Sequence, residues 1–291
     1  MIAVVTATLI NSIGDYLLCL VGGFGIRGAA FATALGQLVA ALIMFVRLKG
    51  PLTSNGKKPM FSMPKPNDLF NLVKLAGPIL FLIVGELFCH LIMTKRVTTF
   101  GVLDLATHSV LLRLYIFFGI FGESLSQTVQ ALFPRLLPSQ KKVDKEEEET
   151  KKSLNKVFRN RIWNLSFPIG ILGCLLAFVN TAYNGSLFAN DAQVLSKLKL
   201  AAPFMASVLI VNPYNYVSDG LAMTQKHFTR IVLSYVTSIS ALYVAMPFCT
   251  NLSQVWTSFF GFQVFRYTQR TLVAKFMNFR KKKQNADVAT A

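Results

Sequence analysis

"LVGGFGIRGAAFATALGQ", residues 20–37, is the stretch that decides the fold. Its centre, Gly23-Phe24-Gly25-Ile26-Arg27-Gly28, has the G-x-G-x-x-G spacing of a dinucleotide-binding loop. In that fold the glycines follow a short buried strand, open a helix, and are joined about 20 residues later by an acid that holds the ribose. Here residues 1–21 are apolar over the length of a bilayer-spanning helix, and no Asp or Glu occurs between Asp15 and Asp68. The spacing is therefore coincidental. Gly22, Gly23 and Gly25 are expected to make a tight turn between two helices. The small residues Gly28, Ala29, Ala30, Ala32, Thr33, Ala34 and Gly36 then let the second helix approach its neighbour closely, as small residues do in lipid.

The rest of the chain agrees with a membrane setting. Hydrophobic residues make up 53% of its 291 residues, charged residues 15%, and the mean hydropathy is +0.48, values outside the soluble range. Eight apolar runs of roughly 20 residues cover 1–21, 28–46, 70–93, 107–133, 158–180, 198–218, 230–249 and 252–275, each long enough to cross about 30 Å of hydrocarbon. No alternating strand pattern occurs, so the expectation is an all-α integral membrane protein with about eight transmembrane helices. The first run is too long for the core of a cleavable signal and lacks a basic leader, which reads as a true span.

A net charge of +17 would suggest nucleic acid if it were spread over a surface, but it is segregated. With helices alternating sides, five Lys and Arg fall between Arg47 and Lys65, nine between Arg135 and Arg161, two at Lys226 and Arg230, and seven from Arg266 to Lys283. The opposite side carries five: Arg27, Lys95, Arg96, Lys197 and Lys199. The positive-inside rule makes the rich side cytoplasmic, or stromal in a plastid, and puts both termini there. Membrane lipid, not nucleic acid, is the expected surface partner, and "FRKKKQ" at residues 279–284 is placed to meet its anionic headgroups. Cys19, Cys89, Cys174 and Cys249 lie one each in apolar runs without C-x-x-C spacing, so neither disulfides nor a metal site is expected.

Two polar interruptions organise the chain. "RLKGPLTSNGKKPMFSMPKPND", residues 47–68, has the prolines, glycines and basic residues of a linker. "PSQKKVDKEEEETKKSLNK", residues 138–156, is a mixed-charge run expected to extend a helix into water before bending back. The expected division is two helices in 1–47, a linker in 48–68, a six-helix bundle in 69–275 and a basic tail in 276–291.

Ionisable and amide side chains inside the spans mark candidate ion or substrate paths. Asn11 and Asp15 lie one turn apart, a spacing that lets an amide and a carboxylate share a proton or cation. Glu86 and Arg113 fall at similar depth on successive spans, as either a structural ion pair or a switch. Arg113, Glu123, Gln127 and Gln130 make one polar stripe, and Asn212, Asn215, Tyr216 and Asp219 a second one broken by Pro213; interhelical hydrogen bonding and cavity lining are both open for them. His90 and His108 read as interface histidines before proton relays.

Several of these stretches resemble one family. Asn11 and Asp15-Tyr16 with "GFGIRGAAFATALGQ" (23–37) are similar to the fifth and sixth helices of multidrug and toxic compound extrusion (MATE) transporters, in wording closest to the plant-type and DNA-damage-inducible F-like branch. "AGPILFLIVGELF" (76–88) resembles the seventh helix, "GESLSQTVQALFP" (122–134) the eighth and "DGLAMTQKHF" (219–228) the end of the tenth. The resemblance implies twelve helices in two six-helix lobes, of which these are the last eight: two from the N-terminal lobe and the whole C-terminal lobe. It implies a secondary active antiporter, coupled to protons or sodium and needing no other cofactor, that exports small organic solutes by alternating access. Coupling would fall to Asn11, Asp15 and Glu86, with Asn212 standing where some branches carry Asp. The first four helices, with their own carboxylate, would have to come in cis or from a partner. A lipid-linked oligosaccharide flippase and a truncated, non-transporting product are the alternatives. An enzyme is not expected, since neither H-E-x-x-H nor G-x-S-x-G occurs. Plasma, vacuolar and plastid membranes all remain open.

Overall fold

The computed structural model describes residues 2–54, 65–136, 145–225 and 228–289. Among them there is no strand; eight α-helices follow one another as α1 (Ile2–Asp15), α2 (Gly25–Ser54), α3 (Pro66–Thr98), α4 (Val102–Leu132), α5 (Lys145–Ala182), α6 (Ala192–Thr224), α7 (Phe228–Ala245) and α8 (Leu252–Ala289). A π-helical turn, Tyr16–Val21, continues α1. Six of the spans are long and apolar enough to cross a membrane, and α3, bent by 43° between Lys74 and Ile79, makes a seventh. The bend falls at the Gly77-Pro78 pair, where proline removes a helical hydrogen bond. The last run, α8, is absent from that set because Gln254, Gln263, Arg266 and Gln269 dilute its apolar residues. The protein is a multi-pass membrane protein.

The chain divides into two compact units, residues 1–71 and 72–291. In the first, α1 and α2 form a hairpin. Its turn holds Gly23 and Gly25 at φ +66° and +54°, in the left-handed region that costs glycine little. The helices then touch backbone to backbone. A Cβ on Gly36 would lie 2.8 Å from the Ala7 carbonyl oxygen, and one on Gly14 2.7 Å from the Ala32 Cβ, so the small residues are where the hairpin needs them.

In the second unit α6 is the central helix, packed by α4, α5 and α8. Glycine again sets the approach. A Cβ on Gly170 of α5 would fall 2.6 Å from the Ile210 carbonyl oxygen, and one on Gly220 of α6 3.0 Å from that of Ser126. α6 runs unbroken through Pro203 and Pro213, which corrects the expected interruption at Pro213; neighbours on three sides hold the helix where the proline withdraws an N–H. Trp256, Tyr115, Phe259 and Met93 fill the main core between α3, α4 and α8. The mixed-charge run reaches α5, whose helix begins at Lys145. Residues 55–64 of the linker, 138–144 of the mixed-charge run, and Lys226 lie outside the described residues.

Candidate functional site

The polar side chains of the second unit converge where α3, α6, α7 and α8 meet. α6 turns Asn212, Asn215 and Asp219 inward, each with 5% exposure or less, because their spacing continues the buried stripe of Ala201, Met205 and Val208. Tyr216 is half-buried beside them and reaches α3, where its hydroxyl donates to Glu86 Oε1 at 2.9 Å. From α8, Gln263 Nε2 donates to Asn212 Oδ1 at 3.3 Å and to the Tyr115 hydroxyl at 3.2 Å. Asn215 Nδ2 donates in return to the Gln263 side-chain and main-chain oxygens, both at 3.0 Å. Asp219 is held between two cations one turn apart on α8: Arg266 Nη2 donates to its Oδ2, and Arg270 Nη1 forms an ion pair with its Oδ1. Arg266 lies over the Tyr235 ring of α7, 4.1 Å from its centroid, and Arg270 Nε donates to Ser234 Oγ at 3.3 Å.

This arrangement corrects the expected partnership of Glu86 and Arg113. Arg113 is exposed, and among the described residues no ion pair holds it. The cause is the register of α4, whose buried face carries His108, Leu111, Leu114, Tyr115 and Phe118, which turns residue 113 outward. Glu123, Gln127 and Gln130 share that outward side; Gln127 Nε2 donates to Glu123 Oε1 at 3.3 Å within the helix, and Gln130 Nε2 to Ser126 Oγ at 3.2 Å. The first stripe thus faces away from the packed bundle, whereas the second is an interhelical network. The positive neighbour of Glu86 is Arg266, whose charge is felt at the carboxylate.

Arg266 and Arg270 are the residues that charge counting missed. The charge count puts them on the basic side with the residues up to Lys283, but Arg266 is buried and Arg270 nearly so, both turned toward Asp219 of α6. The signal was available: two arginines four residues apart inside an apolar run, the spacing that lets both reach one carboxylate. The excess of Lys and Arg on the basic side survives their removal.

In the first unit, Asn11 faces α2 instead of Asp15: the single hydroxyl proton of Thr33 is shared between Asn11 Oδ1 at 3.2 Å and the Ala29 carbonyl at 3.0 Å. Asp15 ends α1 where the π turn begins, and its Oδ1 is shielded from solvent without a hydrogen-bond partner among the described residues. A π turn beside an unsatisfied intramembrane carboxylate is a common setting for a functional group. No group of His, Cys, Asp and Glu among the described residues is arranged to hold a metal ion.

Chemically, Glu86 has one hydroxyl donor and one cation in range, an arrangement that can take up and release a proton or exchange it for a small cation. Asp219, clamped by two arginines, is committed to structure.

The comparisons with known proteins point one way. No family model matches the chain. It is 29% identical over 276 residues to Protein DETOXIFICATION 47, chloroplastic, of Arabidopsis thaliana, and 24% identical over 269 residues to DETOXIFICATION 44, chloroplastic, of the same plant. Each match covers 91% of this chain and 48% of the relative, so the chain spans about half the length of the curated relatives it matches. Among solved structures, it superposes on an outward-facing multidrug resistance MATE family transporter with a TM-score of 0.68 at 16% identity, covering 97% of this chain and 63% of that one. An inward-facing conformation gives 0.63 at 14% identity, covering 100% and 65%. A Vibrio cholerae MATE transporter in the bent form gives 0.66 at 16%, covering 98% and 62%.

Proposed function

We propose that this chain forms the last eight helices of a MATE-type secondary transporter, which exports small organic solutes in exchange for protons or sodium. Its fold is that of the MATE transporters, and the similarity in sequence and fold is to transporters, not enzymes. The observation that carries the ion-coupled part is the half-buried Glu86, hydrogen-bonded by Tyr216 and facing Arg266 inside a span. An intramembrane carboxylate is costly unless its change of charge is used. Coupling needs a group that binds either ion or substrate-linked conformation, and Glu86 can do so because Asp219, not Glu86, satisfies the arginines. Asp15, with one oxygen unpartnered beside Asn11, serves as the second coupling carboxylate, in the N-terminal lobe.

The lobes are taken as residues 1–47 and 69–275, joined by 48–68, with 276–291 as a basic tail on the cytoplasmic or stromal side. The remaining four helices are supplied in cis or by a partner chain. We place the protein in a plastid membrane, following the chloroplastic designation of its two relatives; a fluorescent fusion reads this directly. The flippase reading gains nothing from Arg266 and Arg270, since both are already paired with Asp219 and are not free to hold a pyrophosphate.

The test is transport by the complete protein in proteoliposomes loaded with a cationic dye. An imposed pH or sodium gradient is expected to drive uphill export in the wild type and not in Glu86→Gln. Equal uphill export by both would refute the assignment.

A further inference from the structure

One turn beyond Glu86 on α3 lies a group of polar atoms that the network above does not use. His90 (8% exposed) and His108 (0%) are packed with Tyr115, Trp256 and Phe259, ring centroids of neighbouring pairs standing 5.4–6.0 Å apart. Three atoms in this chamber have no hydrogen-bond partner among the described residues: His90 Nε2, His108 Nδ1 and Trp256 Nε1. Native interiors leave few such atoms, so three together in one core are exceptional.

The hydrogen bonding fixes the tautomer of His108. The single hydroxyl proton of Thr94 is donated to the His90 carbonyl at 2.8 Å, so the 3.2 Å contact between Thr94 Oγ1 and His108 Nε2 requires the imidazole to donate. Neutral His108 therefore carries its proton on Nε2 and a bare lone pair on Nδ1. Glu86, His90 and Thr94 recur every four residues on one face of α3, about 6 Å apart, and Thr94 holds the His108 ring of α4 by its Nε2, leaving Nδ1 free for the proton.

We infer that His90 and His108 are a second protonatable site, which takes up a proton from the basic-poor end of the bundle and passes it to Glu86. The inference rests on Glu86 being a coupling site. In the transfer His108 takes a proton at Nδ1, keeping its Nε2–H on Thr94, and becomes an imidazolium, which loses that proton to His90 Nε2 and returns to neutral. The Glu86 carboxylate then takes the proton from the His90 imidazolium and becomes a carboxyl, and His90 returns to neutral. The ionisable groups facing the pair are Glu86 and Cys89 on α3 and Tyr115 on α4, with Arg266 of α8 acting through Glu86.

The test is nitrogen-15 and carbon-13 NMR of the histidine-labelled 291-residue chain in nanodiscs from pH 4 to 9, with signals assigned by His90→Gln, His108→Gln and His227→Gln. Expected are a pure Nε2–H tautomer for His108, which becomes mixed in Thr94→Val, and an imidazolium pattern for His90 whose midpoint moves by at least about half a pH unit in Glu86→Gln while that of His227 stays put. If Glu86→Gln does not fold, Tyr216→Phe, which withdraws the hydroxyl from Glu86, is expected to move the same midpoint. A His90 that never gains the imidazolium pattern, or one indifferent to Glu86, overturns the inference. It would leave the coupling role of Glu86 intact, because that role is decided by transport and ion release and not by the histidine signals.

Discussion

Replacing Asp219 with Asn should be the most damaging single change in the bundle. The amide keeps the size of the side chain but removes the only carboxylate paired with Arg266 and Arg270 among the described residues; the two arginines are 3% and 10% exposed at the side chain. Removing one partner of a buried ion pair costs about 3–5 kcal/mol, because the other charge is left uncompensated. Two cations share this acid, so the upper part of the range applies, partly relieved by Arg266 over Tyr235 and by Glu86 beyond it. At about 2–4 °C per kcal/mol for a chain of this size, the midpoint of a thermal melt in detergent should fall on the order of 10 °C. The loss should change little with added salt, since screening does not reach a buried pair. Adding Arg266→Gln and Arg270→Gln to Asp219→Asn should recover part of it, because nothing then remains unpaired. A melting point within about 2 °C of wild type for Asp219→Asn would refute the buried-clamp account, as would a triple variant less stable than the single one.

Gly170→Val should destabilise the bundle by about 1–3 kcal/mol, as measured by the same melts, since its Cβ would fall 2.6 Å from the Ile210 carbonyl oxygen. Lys197→Ala breaks an ion pair with Asp104 whose lysine is 36% exposed, so its cost should stay below about 1 kcal/mol and shrink further in high salt, read by melts at two ionic strengths. Thr33→Val removes the donor to Asn11 between α1 and α2 and should cost about 1 kcal/mol, measured as a fall in the midpoint of urea-induced helix loss. Epitope tags inserted at Asn55 and Asn184 should become accessible from opposite sides of sealed vesicles, and same-side labelling would contradict the alternating topology.

Much of the fold was legible because lipid leaves few options: apolar runs of span length must be helices, and clustered glycines between two of them must turn or pack. Gly23, Gly25 and Gly36 do what their neighbours in sequence require. The site was legible in part. The N-x-x-N-Y-x-x-D spacing at 212–219 put four polar groups on one side of α6, and that face is buried against α8. Partner identity was not legible. Glu86 meets Tyr216, 130 residues away, and no local spacing encodes such a contact. Arg113 looked like the partner only because depth along a helix was considered without its rotation, and the apolar residues that fix the rotation of α4 bury His108 and Tyr115 instead. Arg266 and Arg270 were hidden by their closeness to a basic tail whose charges serve topology.

The central claim, that Glu86 converts an ion gradient into solute export, is tested most directly by counting ions. The complete transporter, purified in lightly buffered detergent solution, would be mixed with a cationic dye while a pH indicator and a sodium electrode follow the medium. The account predicts that dye binding releases protons, or sodium, from the wild type and that Glu86→Gln releases measurably less. Equal ion release from wild type and Glu86→Gln would contradict it.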